Sequence, residues 1–289
     1  MRNTFERRVF VVLVAAAALF VGTDARCQIL PSAPTTFWTA ILFSPNNPTL
    51  PDPAQDQQTG SAESDIVGNA IIPSFYGIYD SGNVGFRIRV GADKNPPGFS
   101  NDAFVGLDAN GDGSIDLFVG VDNSGSKDHI GIWAPGSGAN NSPATTSIGS
   151  LLFSFSETSL NYNWQAVNAV SDPTATSYDL DGGGNPDEFL SFFVPFSDIV
   201  SGLNSAGITG FNTNSPVLYV VATATQPNSL NEDINGVNGG VNSSTTWNLL
   251  GAFTQTTLPT LQPVPEPGIP SIILLSMTVL ASWKLIRKN

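Results

Sequence analysis

Leu107-Asp108-Ala109-Asn110-Gly111-Asp112-Gly113-Ser114-Ile115-Asp116-Leu117 carries oxygen side chains at a regular spacing, D-x-N-x-D-G-x-x-D. Counting Asp108 as position 1, Asn110, Asp112 and Asp116 fall at 3, 5 and 9, with the Ser114 hydroxyl between them. Gly113 stands at position 6, where a tight turn needs a positive φ. Ile115, at 8, can bury itself beneath the loop. Hard oxygen ligands at this spacing suit Ca²⁺. The flanks, Phe104–Leu107 and Leu117–Val121, are short apolar runs that read as strands. The stretch therefore predicts a calcium turn between two β-strands. A polar Asp/Asn/Gly hairpin without metal is the plainer reading of the same residues.

The loop resembles the EF-hand-like loops found on β-scaffolds, such as the FG-GAP repeats of propellers and thrombospondin repeats. It departs from an EF-hand at position 12, where Val119 replaces the bidentate Glu, and it lacks the second helix. Those scaffolds use many copies, and this chain has one clear copy. Without the twelfth-position Glu, a weak site of roughly 10⁻⁴–10⁻³ M is expected, workable only outside the cytosol.

The remaining composition agrees with an extracellular setting. Only 12% of the 289 residues are charged, and the chain carries 28 glycines and 21 prolines. Between Gln28 and Val264 there are 21 acidic residues against four basic ones, Arg87, Arg89, Lys94 and Lys127. Such a surface repels nucleic acid and anionic membranes and attracts cations. Cys27 is the only cysteine, so no intramolecular disulfide can staple the loops.

Both ends read as targeting segments. Arg2, Arg7 and Arg8 precede the apolar run Val9–Val21 and then Gly22-Thr23-Asp24-Ala25, a secretory signal peptide over 1–27. Asp24-Ala25-Arg26 ahead of Cys27 makes a poor lipobox. At the other end, Pro265-Glu266-Pro267 precedes the uncharged run Ile269–Trp283 and the basic residues Lys284, Arg287 and Lys288. This order resembles the PEP-CTERM sorting signal of Gram-negative bacteria, recognised by an exosortase. The run of 15 residues spans roughly 22 Å as a helix, short of the ~30 Å hydrocarbon core. That length suits a transient signal better than a permanent anchor, although a plain tail anchor is the alternative. The resemblance implies export, transient residence in the inner membrane, loss of the tail, and delivery to the cell surface or extracellular matrix. Family-level partners would be the exosortase and exopolysaccharide.

Between the ends, residues 28–64 read as an extended Pro-rich lead-in with one edge strand within Phe37–Phe43. Residues 65–258 form the main domain, 259–268 a linker with the PEP motif, and 269–289 the C-terminal helix and tail. Val84-Gly85-Phe86-Arg87-Ile88-Arg89-Val90 alternates, with Arg87 and Arg89 on the face opposite Val84, Phe86, Ile88 and Val90. This predicts a half-buried strand after the Asp80-Ser81-Gly82-Asn83 turn. Further short apolar segments are Phe75–Tyr79, Ile130–Trp133, Leu151–Phe155, Trp164–Val170, Phe189–Val194, Ile208–Phe211, Val217–Thr225 and Trp247–Phe253. One helix is expected at Asp198–Leu203, capped by Ser197. About ten strands and little helix predict an all-β, antiparallel two-sheet sandwich, jelly-roll or immunoglobulin-like. The order of the segments resembles the sandwiches of DOMON-like domains and family-nine carbohydrate-binding modules over Asp65–Leu250. The points of contact are Tyr79-Asp80 before Val84–Val90, Ala103–Asp108 opening on an acidic loop, and Phe189–Phe193 running into Val194-Pro195-Phe196-Ser197-Asp198.

Asp179-Leu180-Asp181-Gly182-Gly183-Gly184-Asn185-Pro186-Asp187 repeats the calcium spacing with acids at 1, 3 and 9 but Gly183 at 5. It predicts a second, weaker site or a solvated glycine turn. Asp122–Asp128 reads as a loop in which Lys127 opposes a cation, although Asp122 could be lent to the first site. Asn231–Gly236 reads as a turn. Trp133, Trp164 and Trp247, with Tyr162 and Tyr178, could stack on sugars, against the more common reading as packing. His129 is the only histidine, and no Cys/His cluster or phosphate loop is present, so catalysis is not expected. The reading is a non-enzymatic, calcium-stabilised, exported sandwich with a structural or adhesive role. The alternative is an exopolysaccharide-binding protein, and an envelope glycoside-active enzyme is the remote third.

Overall fold

The computed structural model describes residues 28–41, 52–58, 61–69, 71–93, 98–125, 127–237 and 245–254. The expected signal peptide, the Pro265-Glu266-Pro267 motif and the C-terminal helix lie outside the described residues. No helix among the described residues is long and apolar enough to cross a membrane.

Among the described residues eleven strands form two antiparallel sheets. The five-stranded sheet has the order β1 (Thr39–Ala40), β2 (Phe75–Asp80), β3 (Asn83–Ala92), β9 (Asp187–Pro195) and β8 (Tyr162–Ala166). The six-stranded sheet runs β11 (Asp233–Ile234), β10 (Leu218–Ala224), β4 (Asp102–Asp108), β5 (Leu117–Asp122), β6 (His129–Pro135) and β7 (Ile148–Ser156). β2 and β3 form a hairpin with positive φ at both Ser81 and Gly82, the turn whose twist matches paired strands. Val84, Phe86, Ile88 and Val90 of β3 face Val105, Leu107, Val119, Val121, Ile130 and Tyr219 of the other sheet, so the main core lies between the two layers.

The outer faces are also covered. Phe104, Phe118, Trp133 and Val220 point away from the main core, under a lid that includes Leu230, Trp247 and Phe253. That is why β4 and β5 read as continuous apolar runs and are buried along their whole length. On the opposite flank, Trp38, Tyr76, Ile78, Val167, Phe189 and Phe193 form a third cluster. The lead-in is therefore an integral layer of the sandwich: β1 pairs with β2, and the Thr35 amide donates to Ser171 O.

This cover changes the reading of β3. Arg87 and Arg89 are both 0% exposed, on a face that alternation alone assigns to solvent. The Arg87 guanidinium lies 4.4 Å from the Trp38 ring centre and 4.8 Å from that of Phe189. It donates to Pro31 O and Ala33 O at 2.6 and 2.7 Å, and its Nε to Ser191 Oγ at 2.8 Å. Burial pushes its pKa down to about 9, which leaves it charged at neutral pH. Arg89 pairs with Asp187 through Nε at 2.7 Å and Nη2 at 2.6 Å, and also donates to Ser177 O.

Three local expectations are corrected. The helix α1 runs Phe196–Ser205, so Ser197 is inside it and Pro195 takes the cap position, its fixed φ suited to the entry. Trp247–Leu250 is a short helix, α2, capped by Thr246, because packing of Trp247 beneath the six-stranded sheet overrides strand propensity. Ile208–Phe211 forms no strand; Phe211 packs on Phe196 instead.

Arg89→Met should destabilise the protein by about 3–5 kcal/mol in urea unfolding, because Asp187 would be left buried without its partner. Adding Asp187→Asn to that variant should recover part of the loss, read as a positive coupling in the double-mutant cycle.

Candidate metal centres

The loop from Asp108 to Asp116 closes the β4–β5 hairpin directly above the last ladder pair, Leu107 and Leu117. Asp116 N donates to Leu107 O, and Ile115 is buried below the loop with its backbone held by Asn140. Gly111 and Gly113 take φ of +76° and +83°. Within this frame the Asp and Asn side chains accept from backbone amides. Asp108, fully buried, takes Gly111 N at 2.6 Å on one oxygen and Gly113 N at 2.9 Å on the other. Asn110 Oδ1 accepts from Asp112 N, Asp112 Oδ1 from Ser114 N, and Asp116 Oδ2 from Ala109 N, each at 2.8 Å. The five residues singled out by spacing do share one turn. Both oxygens of Asp108 and one each of Asn110, Asp112 and Asp116 accept from the turn's own amides, and Asp108, Asp112 and Asp116 do not form a three-carboxylate group like the two described next.

The second loop differs. Oxygens of Asp179, Asp181 and Asp187 all lie within 4.8 Å of one another. Gly182 and Gly184, at φ +71° and +87°, fold the chain back so that Gly183 N donates to Asp181 and Gly184 N to Asp179. A hydrogen bond between the two carboxyls lowers the pKa of Asp179, while burial raises that of Asp181. Burial also raises Asp187, more than Arg89 lowers it. A cation here would share Asp187 with the Arg89 guanidinium, which weakens its hold. Of the two loops, the second brings three carboxylates within 4.8 Å of one another.

A third group escaped the sequence reading. Asp56, Asp65 and Asp233 also bring carboxylate oxygens within 4.8 Å of one another, with Asp52 buried nearby. Its members lie in the lead-in, before β2 and in β11, and no local spacing links them. Asn231–Gly236 accordingly contains β11 as well as a turn.

Asp122 cannot reach the first loop, because it stands at the opposite end of β5 and is bound to Lys127 at 2.7 Å. Trp133 and Trp247 are 3% and 1% exposed. Phe104 stands edge-on to Trp133 at 5.3 Å, and Gly131 lies so close under the Trp133 ring that a Cβ there would clash. Trp247 Nε1 donates to Ala139 O. These two are core residues with no face open to a sugar, because the outer side of the six-stranded sheet is roofed. Trp164, on the edge strand β8, is half-buried against Phe99. His129 begins β6 with its ring against Trp133.

Comparison with protein-family models, characterised proteins and solved structures finds no match for this chain.

In EDTA, Asp108→Ala should cost about 1.5–3 kcal/mol in urea unfolding, since two amides lose a charged acceptor. Asp112→Ala, at the exposed tip, should cost within about 0.5 kcal/mol. Equal costs would mean that the loop is not organised by Asp108.

Proposed function

We propose that this chain is an exported, calcium-stabilised β-sandwich with a structural or adhesive role at the cell surface or in the extracellular matrix. The observation that carries the calcium reading is the convergence of Asp179, Asp181 and Asp187 in a loop whose spacing is that of a calcium turn. The acidic excess supports it, since it draws divalent cations to a protein that has no disulfide. The export reading rests on the signal-peptide pattern at one end and on Pro265-Glu266-Pro267, the short apolar run and the basic tail at the other. On the family resemblance an exosortase removes the tail. A DOMON-like or family-nine-module ancestry is part of the same proposal, and two sheets of five and six antiparallel strands are compatible with it. Sugar binding is left with Trp164 alone of its three tryptophans, so the structural role is the reading favoured.

Ca²⁺ at a hundredfold excess over Kd should add ~2.7 kcal/mol per site to folding stability, a rise in Tm of roughly 5–10 °C. Mg²⁺, which demands a smaller octahedral shell, should add less. Asp181→Asn should remove more of the calcium increment than Asp112→Asn. A Tm indifferent to millimolar Ca²⁺ and to EDTA would defeat the calcium reading.

Intact-mass measurement of the protein released at the native cell surface should show loss of the chain from about Pro267 onward. Recovery of the full-length tail in that fraction would refute sorting by tail removal.

A further inference from the structure

Asp52, Asp56, Asp65 and Asp233 bring four carboxyl groups to one place from three separate parts of the chain. Asp52, Asp65 and Asp233 are 3%, 1% and 4% exposed. Some of their oxygens are satisfied locally. Asp52 Oδ1 accepts from Gly236 N at 2.6 Å, Asp65 Oδ2 from Gln55 N at 2.8 Å, and Asp233 from the amides of Ile66 and Ile234. Asp65 Oδ1 and Asp52 Oδ2 are buried and accept no hydrogen bond. Among the described residues the ion pairs go to Asp122, Asp172 and Asp187, and none to Asp52, Asp65 or Asp233. Buried carboxylates without a countercharge are among the costliest features a fold can hold. Burial and mutual repulsion push Asp65 up to about 6 and Asp52 and Asp233 well above the usual carboxylate range. Two buried oxygens without donors, set among further carboxyls, offer a cation direct coordination.

We propose that Asp56, Asp65 and Asp233, backed by Asp52, form a divalent-cation site of the calcium class. The donor set is oxygen only, which excludes metals that prefer thiolate or imidazole. Several protein carboxylates with buried oxygens form the kind of cage Ca²⁺ accepts. Mg²⁺ keeps most of its water and is usually held by one or two carboxylates. None of these residues belongs to the Asp108–Asp116 or Asp179–Asp187 loop; Gln55, whose amide donates to Asp65, also donates through Nε2 to Asp181 O, so the amides of Ile66, Ile234 and Gly236, which bond to Asp233 and Asp52, tell this site from the second loop.

The position gives the ion a structural task. Ile66 bridges to Val90 of β3 in one sheet, and its amide donates to Asp233 of β11 in the other. Gln58 N donates to Glu232 O, which lays the lead-in along the same edge. A cation at this point clamps the lead-in to both sheets, as a disulfide would in a cysteine-rich secreted domain.

The test is hydrogen exchange by mass spectrometry on the full chain in detergent micelles, with Ca²⁺ or EDTA. At a hundredfold excess of Ca²⁺ over Kd, exchange by local opening at Gln55, Ile66, Ile234 and Gly236 should slow roughly hundredfold. Asp65→Asn and Asp233→Asn should abolish that protection and lower the calcium stoichiometry by one. Asp179→Asn and Asp112→Asn should leave it in place. Protection confined to residues 108–116 or 179–187 would overturn this site while preserving the reading of those loops. Protection confined to 52–66 and 233–237 would do the reverse. Because the wild-type measurement locates the effect by itself, an unfolded Asp65 or Asp233 variant does not rescue the proposal. Exchange in the wild type unchanged by Ca²⁺ at these amides refutes it.

Discussion

Two guanidinium groups lie on the outer face of β3, and the cover over the five-stranded sheet follows from them. A buried arginine is tolerated only where its donors find acceptors and its plane finds a partner. Arg87 obtains carbonyls from Pro31 and Ala33 and aromatic faces from Trp38 and Phe189. Arg89 obtains Asp187 and Ser177. The segments that supply these groups, 29–38 and 167–187, are poor in regular structure, and the packing of Trp38 and Val167 on the sheet adds to the hold of the arginines. The arginines fix them there. Arg89 in turn holds Asp187 at the base of the second acidic loop, so the polar cover and a candidate metal centre share one ion pair.

The acidic residues divide by what neutralises them. In the β4–β5 loop the carboxylates accept from the backbone amides of their own turn, which makes the hairpin complete as a hydrogen-bonded unit. In the Asp179–Asp187 loop backbone amides and an arginine do part of that work. At Asp52, Asp65 and Asp233 amides satisfy some oxygens and leave others buried and bare. The same residue type thus yields a turn, a loop shared with an arginine and a buried carboxyl cluster. What separates them is how many donors reach the oxygens, a quantity that spacing along the chain does not encode.

Much of the fold was legible locally. Val84–Val90 alternates and is β3; Phe104–Leu107 and Leu117–Val121 flank an Asp/Gly loop and are β4 and β5; Asp80-Ser81-Gly82-Asn83 turns as turn chemistry requires. These outcomes depend on contacts within a few residues, so a window of sequence contains the whole cause. The misreadings had distant causes. Arg87 and Arg89 looked solvent-facing because their cover lies about 50 to 100 positions away. For Trp133 and Trp247 packing is the commoner reading, and the roof that buries them comes from segments far from β6.

By itself, then, the sequence determined that the chain is acidic, disulfide-free and built from short antiparallel strands, and where its Asp/Gly turns fall, since composition, period-two alternation and positive-φ glycines act over a few residues. Only the tertiary structure decided which carboxylates meet. Asp56, Asp65 and Asp233 are drawn together by the pairing of Ile66 with β3 and by the place of β11 at the edge of the other sheet. That meeting is a property of long-range packing, in which sequence separation carries no weight once the sheets have closed.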